Sequence, residues 1–303
     1  MNIFENLFPT LAELGRFAPL NDISATISDL QASARTALRR IEIILSGGVV
    51  QAIASDESGS DEALSLIDAE KTALANLTLA NQMIFDSVNR RKSGTDVYKY
   101  EVEGMQRAYK ENYFNGMDRL ILLLETGASD NPESGTPYAL WKESRYRGML
   151  NTCQIKSADE FDMVIPIDLS YIYFFRTLPI QREVLDEGLS VYFNNLAGID
   201  SGELVAKLTP MLRLVLAKRV VARSLRRFDI MEFPPTLRNL LDDSTASRNG
   251  KDEREAAVLQ ASQLETEAKT LLDTVDMLLD EGTTDYTSLS TFNSPTDKIV
   301  MAP

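Results

Sequence analysis

Between Val205 and Phe228 the chain carries Lys207, Arg213, Lys218, Arg219, Arg223, Arg226 and Arg227, with no acidic residue among them. In a chain of formal charge −14, such a run has the chemistry to contact DNA phosphates or an acidic partner. The same side chains can serve as the basic face that pairs with acidic helices of the same fold, for example the Asp- and Glu-rich final helix. Aromatic residues, which single-strand binding favours between the charges, are missing there.

A second group lies at Tyr138, Leu140, Trp141 and Tyr146, interleaved with Lys142, Arg145 and Arg147. Aromatic residues and arginine are enriched where interfaces concentrate their binding energy. Two readings stand: Tyr138, Trp141, Arg145 and Tyr146 face a partner, or the segment folds back and buries Trp141. A third group, Phe292, Ile299 and Val300, is spaced through a Thr/Ser-rich tail too polar to form a core, and reads as the anchors of an arm over a neighbouring subunit.

Catalytic chemistry finds little to work with. There is no histidine, which removes the commonest general base and the commonest metal ligand. Cys153 is the only cysteine, so no intramolecular disulfide forms, and it reads as a small apolar residue. Asp159, Glu160 and Asp162, or Asp242 and Asp243, are bunched carboxylates of the kind solvated surfaces carry. No phosphate-binding glycine motif occurs. The expectation is a non-enzyme with no cofactor and no metal.

The elements that must position these groups are helices. Gly and Pro are sparse, at 15 and 11, and no window approaches the 18 or so consecutive apolar residues of a membrane span. The opening MNIFENLFPTLAEL lacks the basic and apolar regions of a secretory signal, so assembly is expected in the cytoplasm. Helical spacing predicts a first helix capped at Asn21, Asp22 or Ser24 and ending at Gly47-Gly48, a second from Asp61 to Lys92, and a third over about 97–125. Residues 128–165 read as an exposed connector with a small hairpin from Thr152–Ile155 and Met163–Ile167. The pattern then passes through Pro179 into a helix reaching Leu196. Further helices follow over about 203–228, with a kink or later start at Pro210, and over about 252–281.

The two halves share a plan. Each has a helix ending in a small-residue loop, a long middle helix, a break, and a terminal helix closing in leucines, an acidic residue and Gly: MDRLILLLETGA against VDMLLDEGTTD. The sequence therefore predicts an all-α tandem duplication. Its parts are a first bundle over 1–127, a connector over 128–168, a second bundle over 169–281 and a C-terminal arm over 282–303. Two copies are too few for a solenoid and suit a ring or collar.

The runs AYKENYFNGMDRLILLLE, TPYALWKESRYRGM and SADEFD resemble a family of uncharacterised proteins encoded by phages and prophages of Bacteroides-type bacteria. The helical plan is similar to the head-to-tail adaptor proteins of tailed phages, though this chain is about twice their length. That resemblance implies a virion protein of the neck, assembled in the host cytoplasm as a ring of about twelve copies. Its partners would be the portal and a tail or second neck protein, with DNA passing through the channel without sequence-specific contact and no membrane involved. The alternative is a nucleic-acid-binding or packaging accessory protein acting through the basic helix.

Overall fold

A computed structural model describes residues 2–20, 26–92, 98–127, 132–239 and 250–283. Among them there are helices and turns but no strand, in keeping with the all-α expectation. Two short helices, α1 (Ile3–Leu7) and α2 (Leu11–Phe17), lead to α3 (Gln31–Leu45) and α4 (Gly47–Ala54). The first long pair follows, α5 (Asp61–Lys92) and α6 (Lys99–Gly127). Three short helices come next, α7 (Pro137–Lys142), α8 (Arg145–Met149) and α9 (Ala158–Asp162). Then α10 (Tyr171–Val184) passes through a π-helical turn at Leu185–Leu189 into α11 (Ser190–Leu196). The second long pair is α12 (Gly202–Arg227) and α14 (Gly250–Thr283), with the short α13 (Pro235–Asn239) between them. No helix among the described residues is long and apolar enough to cross a membrane.

Both long pairs pack as antiparallel hairpins. In the first, α6 approaches α5 so closely at Gly116 that a Cβ there would lie 2.8 Å from the backbone nitrogen of Ala73 and 3.1 Å from its Cα. Gly116→Ala is therefore expected to destabilise the protein. Forcing the helices apart costs roughly 1–3 kcal/mol, more than the roughly 1 kcal/mol of helix propensity that alanine gains. An unchanged urea midpoint would refute this. In the second hairpin, Ala257, Ala261, Leu264, Ala268, Leu271, Val275 and Leu278 recur at alternating spacings of four and three, the seam of an antiparallel coiled coil. Ala261, Ala268 and Val275 are fully covered and Ala257 is buried.

Between the hairpins lies α10, which packs on α6, α12, α8 and α9. Ile172, Tyr173, Phe174, Phe175, Leu178, Ile180 and Val184 are all buried, so this helix is apolar on nearly every side, as an interior helix must be. The apolar core runs without a break from Ile3 and Phe4 through Trp141 and Phe175 to Val275.

Several local expectations are corrected. The first long helix starts at Gln31 rather than near Ser24. Thr26 to Leu30 form a turn in which Asp29 accepts from the N–H and hydroxyl of Thr26, and residues 21–25 lie outside the described set. The predicted small-residue loop after Leu45 is mostly helix. Ser46, at φ +79°, turns the corner, and burial of Val49, Val50 and Ile53 overrides the weak propensity of Gly47-Gly48.

Both internal prolines sit inside helices. Pro179 is well within α10, and α12 starts at Gly202, capped by the Ser201 hydroxyl, with Pro210 in its interior. Neither helix begins at its proline, because packing on both sides outweighs the lost backbone hydrogen bond. The π-helical turn places Gly188 at φ +123°, a conformation only glycine adopts freely.

In its described residues, from 132 on, the connector is folded, not extended, and the expected hairpin does not form. The buried Gln181 side chain accepts from the N–H groups of Gln154 and Ile155 and donates to the carbonyl of Ile155. It thereby occupies the positions a partner strand would take. Around the other predicted strand, Asp162 accepts from the N–H groups of Ile167 and Leu169, and those of Val164 and Ile165 bond back to Phe161. Side chains and a local turn at the Phe161 carbonyl satisfy these pieces, so no ladder is needed.

Candidate functional site

Thr136 caps α7, whose first residue is Pro137, and this short helix carries Trp141 into the core. The indole is fully buried and meets Phe175 edge-on at 5.1 Å. Its Nε1–H donates to Glu125 Oε1 at 2.6 Å. Arg147, on α8, donates from Nε to the same oxygen at 3.0 Å. One carboxylate at the end of α6 thus fixes both short helices. Of the predicted interface residues, Trp141 belongs to the protein's own core. Tyr138 and Tyr146 are half-buried against that core, and Arg145 is exposed. The second of the two readings left open for this segment therefore holds for Trp141.

The basic helix is α12, and its charges are largely matched within the chain. Lys218 pairs with Glu267 and Arg226 with Glu265, both on α14. Arg223 binds Glu183 at 2.7 Å and also Glu187, while Arg227 holds Glu183 through two bonds of 2.6 and 2.7 Å. The hydrogen bonds from these partners hold the Glu183, Glu187 and Glu267 carboxyls below the usual range. Arg219 acts electrostatically on Glu187. In the N-terminal half, Lys207 and Arg213 pair with no acid among the described residues. Exposed pairs such as these add little stability individually, but they occupy the cations in the C-terminal half of α12, Arg219 excepted.

Three acidic groups that sequence reasoning passed over are placed in telling positions. Asp118 of α6 reaches the start of α10, accepting from Ile172 N–H at 2.7 Å and from the Ser170 hydroxyl at 3.1 Å. Burial pushes its carboxyl up to about 6 against the pull of those bonds. Asp118→Ala is expected to cost about 1–3 kcal/mol, since the orphaned N–H groups of α10 lose their acceptor. Asp118→Asn, which keeps an acceptor oxygen, should retain most of that stability. Equal losses in chemical denaturation would count against the cap.

Glu70 of α5 is fully buried, and neither carboxyl oxygen has a hydrogen-bond partner. Burial alone raises it to about 8. Glu232 is likewise raised by burial and is opposed by Arg176, with which it forms an ion pair. Spacing offered a signal for Glu70, which falls in step with Leu66, Ala73 and Leu77 on the buried stripe of α5.

A cavity of about 380 Å3 opens where α5 begins, α6 ends and α7 passes, lined by Asp61, Glu62, Ser65, Leu123, Thr126, Gly127 and Tyr138. The Tyr138 ring fills the space a side chain at Gly127 would need. Its hydroxyl is raised by burial and then by the charges of Glu62 and Asp56. Among the described residues no three of His, Cys, Asp and Glu are grouped to hold a metal ion. Cys153 is buried, and burial pushes its thiol up to about 11. Phe292, Ile299 and Val300, like Asp242 and Asp243, lie outside the described residues.

The chain matches no protein-family model, no curated protein and no solved structure.

Proposed function

We propose that this chain is a structural protein of a phage neck, a ring-forming adaptor between portal and tail that passes DNA through its centre and does no chemistry of its own. The observation that carries this reading is the repeated plan. Each half has a pair of shorter helices, α3 and α4 or α10 and α11, followed by a long antiparallel hairpin, α5–α6 or α12–α14. We read the two as copies of one module, which gives each subunit two related surfaces for its neighbours. The resemblance noted in the third helix and connector supplies the phage context.

The internal pairing of α12 favours this reading over nucleic-acid binding through residues 205–228. A protein that grips phosphates keeps its cations available for them, whereas Lys218, Arg223, Arg226 and Arg227 are paired with acids of α10, the π-helical turn and α14.

Electron microscopy of the purified protein, with sedimentation across a concentration series, tests the proposal. Closed rings of many copies are the expected result. A compact monomer at every concentration would overturn it. DNA titration across salt concentrations tests the alternative: a steep salt slope, abolished by replacing Arg219, Arg223 and Arg226 with Ala, would favour nucleic-acid binding.

A further inference from the structure

The cavity beside Tyr138 has an acidic side and an apolar side. Asp61 and Glu62 are exposed acids in the first turn of α5, and neither forms an ion pair among the described residues. The C-terminal end of α6, at Gly127, adds the negative pole of a 29-residue helix. On the apolar side the lining is Leu123 and the ring of Tyr138. A ligand matched to this site carries a cation adjoining aliphatic side chains.

The chain itself contains such a segment. Beyond Thr283, where α14 ends, Lys298 is the one cation in residues 284–303, and Ile299, Val300 and Met301 follow it directly. The fifteen residues from Thr283 to Lys298 span at most about 50 Å when extended. Among helices, α14 packs chiefly on α12, whereas the cavity belongs to α5, α6 and α7. The helix from which the arm continues and the cavity therefore belong to different elements of the subunit, and joining unlike surfaces of successive copies is what closes a ring.

We propose that this cavity receives the Lys298–Met301 segment from the C-terminal arm of a second copy, with Lys298 against Asp61 and Glu62 and with Ile299 and Val300 over Leu123 and Tyr138. The proposal rests on the ring-assembly reading above and names the contact that builds the ring.

The test is disulfide cross-linking in the full chain carrying Ser65→Cys together with Ile299→Cys. The native Cys153 stays out of the reaction, because it is buried and its thiol is far from ionised at neutral pH. Oxidation is expected to give a ladder of covalent oligomers on a non-reducing gel, whereas either single variant stops at a dimer. A cross-linked monomer would show the arm docking on its own chain and overturn the second-copy assignment. No cross-link at all would overturn the docking itself.

Sedimentation supplies a second readout that needs no cysteine. Lys298→Glu is expected to weaken self-association at least tenfold, and adding Glu62→Lys to restore it. A chain that assembles normally with Lys298→Glu defeats the arm contact and leaves the ring reading standing. A wild-type chain that stays monomeric at every concentration defeats the ring reading itself.

Discussion

Trp141→Ala is expected to lower the free energy of unfolding by about 3–5 kcal/mol, as truncation of a fully buried aromatic does when the site cannot collapse. The indole is 0% exposed, packs on Phe175 of the central helix and donates to Glu125. Its loss opens a cavity against α10 and leaves Glu125 with Arg147 alone. Trp141→Phe separates the two contributions. It keeps most of the apolar volume and forfeits the Nε1–H bond, so its cost should be nearer 1–2 kcal/mol. Urea denaturation of the three proteins measures both. A loss under about 1 kcal/mol for the alanine variant would mean that α7 is peripheral to the core and that the aromatic segment is free to serve a partner.

The second large effect concerns Glu70 and is read as a dependence on pH. Its folded-state value of about 8 stands above the ordinary 4.5, so the folded protein holds this proton through a range in which the unfolded chain has released it. Stability from this group is therefore fully present below about 4.5 and is lost as pH rises toward 8, at a slope of up to about 1.4 kcal/mol per pH unit.

Glu70→Gln should remove that slope, and Glu70→Leu should stabilise the protein most at pH 8 and above, where the wild type must hold an ion in its core or unfold. Asp118, raised to about 6, contributes a slope of the same sign over a lower window, and Glu232 is raised as well. The difference between wild type and Glu70→Gln isolates the buried glutamate. Parallel curves of stability against pH for those two proteins would show that Glu70 is solvated or paired in solution.

Glu70 also shows how far the sequence could be read. The long helices α5, α6, α12 and α14 were legible because leucines, alanines and valines recur on one face over many turns, a signal that single polar residues do not erase. Glu70 sits in that register, but a charged residue on an apolar stripe does not announce whether it is buried or turned aside. The short helices α7, α8 and α9 were not legible. Each has about five residues, less than two turns of periodicity, and the cues are single caps such as Thr136, Ser144 and Ser157. The hairpin expected near Ile155 failed for a related reason. Its apolar pattern is genuine, yet its hydrogen bonds go to Gln181, 26 residues away, and no local rule pairs a strand with a side chain.

The candidate surfaces divide along the same line. That α12 is basic could be read directly, but which acids would meet it depended on the fold. Glu183 and Glu187 lie before α12 in the chain, while Glu265 and Glu267 lie after it. The choice between partner and core for Trp141 turned on the position of Glu125, sixteen residues upstream, at a helix end that by sequence is merely a terminus.

The burial of α10 on nearly every side bears on how the chain comes together. Each long hairpin can close by itself, since its two helices are neighbours in sequence and loop closure over such spans is fast. The ties through α10 are of longer range: Asp118 to Ile172 spans 54 residues, and Tyr173 to Ser224 spans 51. During synthesis the first hairpin therefore emerges with the α6 face that will hold α10 still uncovered, and α10 in turn waits for α12. Docking of this one apolar helix is the step that joins the two hairpins. Until it occurs, the half-made chain exposes the apolar surfaces on which misassembly between nascent copies begins.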